Sequence, residues 1–221
     1  MDKPFDFLVE RQEDLVAAVE RFGIVPLFRG SIPGFSVEEH VSPKAWFSGG
    51  EGVWEWKGPV IRETGCAYGK FFEKKAVFIS KEWFPDFANY RRDGYDFDAR
   101  FDDGLASFRD RDLYELLDSH APILSKDLKA LSAVKGFDTV LSRLQAQCYA
   151  VISDFVYETS RAGVPYGWGV AQYSTPEKFM GGDFASAVYR HTPEESCRRV
   201  SDRLRELLPD AGDEAIRKIL K

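Results

Sequence analysis

A chain of 221 residues with 18 Phe, 9 Tyr and 5 Trp can build a substantial core, as one large domain or two small ones. Its apolar runs are only a few residues long, and its acidic opening, Met1–Asp6, lacks a secretion signal's basic-then-apolar pattern; neither a membrane partner nor export is expected. The net charge of −6 argues against nucleic acid as a partner for the whole surface, and three dispersed cysteines without a CxxC pair point to reduced thiols in a cytoplasm rather than to a bound metal.

Along the chain, Glu13–Phe22 has Leu15, Val16, Val19 and Phe22 at helical spacing, and Gly23 is placed to end it. Ile24–Phe28 reads as an apolar strand-like exit, and the Gly-, Pro- and Ser-rich stretch 30–58 reads as ordered loop. Cys66–Phe72 and Ala76–Ser80 flank Glu73-Lys74-Lys75 as a hairpin. Ser80 then opens a helix through Tyr90, with Pro85 kinking it or beginning its regular part. The polar, acidic run Asp93–Asp110 separates residues 1–108, an N-terminal α/β region, from residues 109–221. Its carboxylates are spaced loosely like a calcium loop, but Arg100 sits at a ligand position and no glycine falls where the turn is needed, so a solvated linker is expected.

In the second half, Arg111–His120 is a helix ended by Pro122; Lys126–Leu131 is a helix capped by Ser125; and Gly136 precedes a third, Phe137–Leu144. Phe137, Val140, Leu141 and Leu144 form a core stripe, and Asp138, Thr139, Ser142 and Arg143 lie opposite it. Gln147–Tyr157 and Gly167–Tyr173 are β-branched and aromatic, with Thr159–Gly163 as the tip between them. Helix, turn, helix and hairpin in this order make a winged helix, which lays one helix and one wing on duplex DNA. The predicted fold is therefore α+β: a winged helix packed against an N-terminal α/β region and closed by C-terminal helices. The first of those begins at the capping box Thr192-Pro193-Glu194-Glu195 and buries Cys197, Val200, Leu204 and Leu207.

Residues 121–147 hold Lys126, Lys129, Lys135 and Arg143 against Asp127 and Asp138, the one net-positive segment of the chain. These four cations, with Thr139, Ser142 and the wing's Arg161, are the expected nucleic-acid contacts. Gln145 and Gln147 are the candidate catalytic pair. On a helix they would point about 200° apart, so shared work requires extended backbone, where side chains two apart lie on one face. A glutamine cannot act as a general base, but it can hold a water and donate to a developing negative atom. Two surface amides at the start of a strand are the plainer alternative. Trp54 and Trp56, on extended chain, would put both indoles on one face as a stacking platform, with Lys57 beside a phosphate; core packing is the competing reading. The three histidines are isolated, and no Ser–His–Asp pattern or phosphate-cradling glycine loop occurs.

Arg143-Leu144-Gln145-Ala146-Gln147, leaving a helix inside a winged-helix pattern, resembles the glutamine-x-glutamine motif of AlkZ-type DNA glycosylases. Trp54–Lys57, Cys66–Lys70 and Phe78–Ser80 likewise resemble AlkZ-related bacterial proteins of about this size. The resemblance implies hydrolysis of the bond between a damaged base and deoxyribose without metal or other cofactor, Gln145 and Gln147 positioning the water and stabilising the sugar cation. Two other functions stay open: a non-enzymatic winged-helix module for DNA or protein, and a small-molecule pocket lined by Trp54, Trp56 and Tyr68.

Overall fold

The structure, a computed structural model, describes residues 5–46, 52–160 and 165–221. Helix α1 (Gln12–Phe22) buries Leu15, Val16, Val19 and Phe22 and stops at Gly23. Only glycine suits that stop: its φ is 77°, and a Cβ would lie 2.3 Å from the Trp83 ring. Strand β1 (Ile24–Pro26) follows, buried throughout.

The stretch expected to be loop instead holds two helices, α2 (Pro43–Trp46) and α3 (Val53–Thr64). Composition misleads here because its apparent helix breakers serve the packing. Gly52 is the cap residue, its N–H held by the Glu55 carboxylate at 3.1 Å. Gly58 faces a strand so closely that a Cβ would sit 2.9 Å from Asp154 Oδ1 and 3.3 Å from the Phe155 nitrogen. The expected hairpin follows as β2 (Ala67–Phe72) and β3 (Lys75–Ile79). Helix α4 (Phe84–Arg92) carries Pro85 in its first turn, where a missing N–H costs nothing. The acidic stretch after it is not all linker: Asp96 caps Ala99 N–H at 2.8 Å and starts α5 (Phe97–Asp102).

Next come α6 (Phe108–His120), β4 (Ile123–Leu124), α7 (Ser125–Leu131), α8 (Phe137–Ala146), β5 (Val151–Thr159) and β6 (Pro165–Ser174). The predicted stripe Phe137, Val140, Leu141 and Leu144 is buried. Among the described residues, the six strands join one antiparallel sheet in the order β1-β3-β2-β5-β6-β4. Tyr68 opposite Ile152 links β2 to β5, and Ile123 opposite Tyr173 seats the short β4 on β6. Residues on both sides of position 108 therefore share the sheet.

Helices α9 (Pro176–Met180), α10 (Gly182–Ala187), α11 (Pro193–Leu207) and α12 (Asp213–Leu220) complete the chain. The predicted capping box at Thr192 is present, and α11 buries Val200, Leu204 and Leu207, with Cys197 half-buried. Ser196 on α11 ties to α4 by donating to Asp86 and accepting from Asn89, each at 2.9 Å. Arg92 is the largest fully buried side chain, bonded to Glu177 at 2.6 Å, to the Tyr189 hydroxyl at 3.0 Å and to the Cys148 carbonyl at 2.8 Å. Burial opposes its charge, but Glu177 and Tyr189 outweigh that and hold its pKa above the ordinary value. Because Cys148 lies in the turn after α8, this arginine helps fix how the chain leaves that helix. No described helix is long and apolar enough to cross a membrane.

Candidate nucleic-acid interface

The backbone required for a paired glutamine site is not extended. Helix α8 continues through Ala146, and Gln147 is its C-cap residue at φ −88°, ψ 3°. Cys148, at φ 61°, then turns the chain sharply, with its N–H on the Gln145 carbonyl at 2.8 Å and the Tyr149 N–H on the Leu144 carbonyl at 2.8 Å. Residues two apart on a helix diverge by about 200°, so the two amides do not share a face. Gln145 is 1% exposed, and its Oε1 accepts the Lys70 backbone N–H at 3.3 Å. Its side chain also bonds the Tyr173 hydroxyl, which moderates the burial that pushes that hydroxyl up to about 12. Gln147 is half-buried, and its amide makes no side-chain hydrogen bond among the described residues.

The expected DNA contacts gather around α7 and α8, but most of their charge is already paired. Arg143 Nε donates to Asp110 at 2.7 Å, Lys129 meets Asp138 at 2.9 Å, and Lys126 lies 3.8 Å from Glu158 on β5. Asp110 is 5% exposed and is the carboxylate of the α6 capping box, bonded to the Ser107 N–H at 2.9 Å and hydroxyl at 2.6 Å. Burial alone would raise its pKa; the bonds from Ser107 and Arg143 outweigh that and hold it below the ordinary value. Arg143 thus braces α8 against α6. Lys135 has no ion pair among the described residues. Thr139 is exposed and Ser142 half-buried. Arg109, Lys135, Thr139 and Arg143 line one groove of about 570 Å³ at the start of α8, whose rim includes Leu105. Arg161 lies outside the described residues.

Trp54 and Trp56 do not form a shared platform, because α3 is a helix and sends their indoles apart. Trp56 packs against the core. Trp54 joins a surface cluster in which its ring centroid lies 5.7 Å from Phe28, 5.8 Å from Trp46 and 6.4 Å from Trp168. Trp168, on β6, is 83% exposed. Lys57 Nζ sits 4.3 Å from the Phe155 ring centroid and 4.7 Å from that of Trp54. Burial drops its pKa to about 8, with Glu55 pulling the other way. Sequence reasoning passed over Trp168 and Asp110; the isolated Trp168-Gly169 pair on a strand was the available signal for the former.

The pocket expected around Trp54, Trp56 and Tyr68 is not formed as foreseen, since Tyr68 is 3% exposed within the core. A cavity of about 370 Å³ lies elsewhere, between Ile32–His40 and Leu207–Ala215. Among the described residues, no three His, Cys, Asp or Glu side chains are placed to hold a metal ion.

A family model described as "AlkZ related" matches residues 9–221. No curated protein and no solved structure matches the chain.

Proposed function

The chain belongs to the AlkZ-related family, and we propose that within it the protein is a winged-helix DNA-binding module that does not itself excise bases. The carrying observation is the element order α6, β4, α7, α8, β5, β6, with β4 closing against β6 beside β5. In a winged helix that order gives α8 to the major groove and the β5–β6 hairpin to the flanking backbone. Residues 109–221 carry this module and its closing helices, and residues 1–108 support it through the shared sheet. Thr139, Lys135, Lys126 and the outer side of Arg143 are the contacts to duplex DNA.

Binding rather than hydrolysis is favoured by the state of Gln145. An amide whose acceptor is committed to a backbone N–H and which is sealed from solvent has no free group for an attacking water. A reducing cytoplasm suits the three free cysteines, two of which, Cys66 and Cys148, are held by burial up to about 12 and are poor thiolates.

The test is to incubate the protein with alkylated duplex DNA and follow retention and base release together. Retention without release is expected. Release that disappears in Gln147→Ala would overturn the non-hydrolytic reading, and absence of retention would overturn the DNA reading as well.

A protein partner is the second reading, favoured by the exposed apolar side chains Leu105, Phe108 and Leu131, which are 50%, 68% and 56% exposed. It predicts association that changes little with salt, unlike phosphate binding.

A further inference from the structure

Beside the wing, Lys57 poses a physical problem. The side chain is half-buried, and its ammonium faces two aromatic rings and has no ion pair among the described residues. A partly desolvated cation without a direct ion pair is costly, and ring faces compensate only in part. The nearby carboxylates are committed elsewhere: Glu55 holds the Gly52 N–H at 3.1 Å, and Asp154 is paired with Arg62.

A second problem sits next to it. Trp168 is the most exposed large apolar side chain among the described residues, at 83%, yet its indole is aligned edge-on to Trp54, with an interplanar angle of 86°. The fold invests in this alignment. Gly169 lets the Tyr157 ring pass where a Cβ would lie 2.8 Å from it, and the Tyr157 hydroxyl then donates to the Trp54 carbonyl at 3.3 Å. Gly58 brings α3 onto β5 and so sets Lys57 over Phe155. Two glycines and a tyrosine therefore fix the cation and the two indoles as one unit.

We propose that Trp168, Trp54 and Lys57 form a site for an unpaired nucleotide of DNA, the base stacking on the exposed face of Trp168 and a flanking phosphate supplying the direct ion pair that Lys57 has with no described residue. Stacking on an indole with a cation at the phosphate is how single strands are held without sequence preference. Trp168 lies on β6, one strand of the proposed wing, and Trp54 and Lys57 lie on α3, which packs against the other strand, β5. The inference rests on the DNA-binding reading for its choice of polymer, but it engages different residues.

The experiment is binding of a fluorescently labelled short oligothymidylate, and in parallel of an undamaged duplex, to wild type, Trp168→Ala, Trp168→Phe and Lys57→Gln. Trp168→Ala is expected to weaken the oligothymidylate by about thirtyfold, the middle of the range for losing one stacked base. Trp168→Phe should restore most of that loss, and binding to wild type should quench tryptophan emission. Lys57→Gln should flatten the salt slope by about 0.7, the value for one phosphate on a single strand. Because Trp168 is exposed, its replacement leaves the fold intact and the comparison interpretable. Duplex binding without oligothymidylate binding, or unchanged affinity in Trp168→Ala, overturns this site and leaves the DNA reading standing. Failure to bind either polymer overturns both.

Discussion

Replacing Gln145 tests whether it is a structural bolt rather than a reagent. Its side chain is 1% exposed and its oxygen accepts the Lys70 N–H of β2, while its amide also reaches Tyr173 on β6. Truncation to alanine removes buried volume under α8 and deprives the Lys70 N–H and the buried Tyr173 hydroxyl of this partner. Losing a buried side chain of that size costs about 2–3 kcal/mol, and orphaned polar groups add about 1 kcal/mol or more, so Gln145→Ala should lose roughly 3–4 kcal/mol. Gln145→Met, which keeps the volume and drops the amide, should lose only about 1–2 kcal/mol. Gln147→Ala, at the half-buried helix end, should change stability by less than about 0.5 kcal/mol. Urea denaturation followed by far-UV circular dichroism measures all three, with unchanged m values as the sign that the transition is the same. Equal, small losses for Gln145→Ala and Gln147→Ala would refute the structural assignment and return both amides to the list of surface groups available for chemistry.

Lys57→Met should stabilise the fold at pH 7 by about 1–2 kcal/mol, after allowing for the ring faces and remaining solvent that soften the burial penalty. Since burial drops the Lys57 pKa to about 8 from 10.5, the folded state sheds that proton first; wild type should regain the difference as pH climbs from 8 to 10.5, and a gap independent of pH would contradict this. Asp110→Asn should destabilise near neutral pH. Because the folded carboxyl lies below its ordinary 3.8, that deficit should close only as acid falls below 3.8, which thermal melts from pH 2 to 7 would record as converging Tm values. Gly58→Ala should lower Tm although alanine is the better helix former, since its Cβ would press on Asp154 and the Phe155 nitrogen; a higher Tm would show that α3 has room to shift.

The second half of the chain was the more legible because its signals are local. The stripe Phe137, Val140, Leu141 and Leu144, the hairpin strands and the Thr192 capping box are each specified within a few residues, and all appear in the structure. Helix α3 was not legible, because Gly58 is there for a strand that lies far along the chain, a reason that composition cannot carry. The same holds for the site. Gln145 looks like surface until its partner, 75 residues away, is in place, and Arg143 looks like a phosphate contact until Asp110, 33 residues away, takes its guanidinium. Short-range spacing thus gave the elements around the interface, while long-range pairing decided which polar groups remain available on it.

Fluorescence anisotropy of a labelled undamaged duplex, titrated at several salt concentrations, is the most direct test of the proposed interface. Binding whose log K falls linearly with log salt is expected, with Lys126→Ala and Lys135→Ala each flattening the slope by about 0.9 and Gln147→Ala leaving it unchanged. No binding at low salt, or a slope that neither lysine alters, would contradict a DNA-binding role for α8 and the wing.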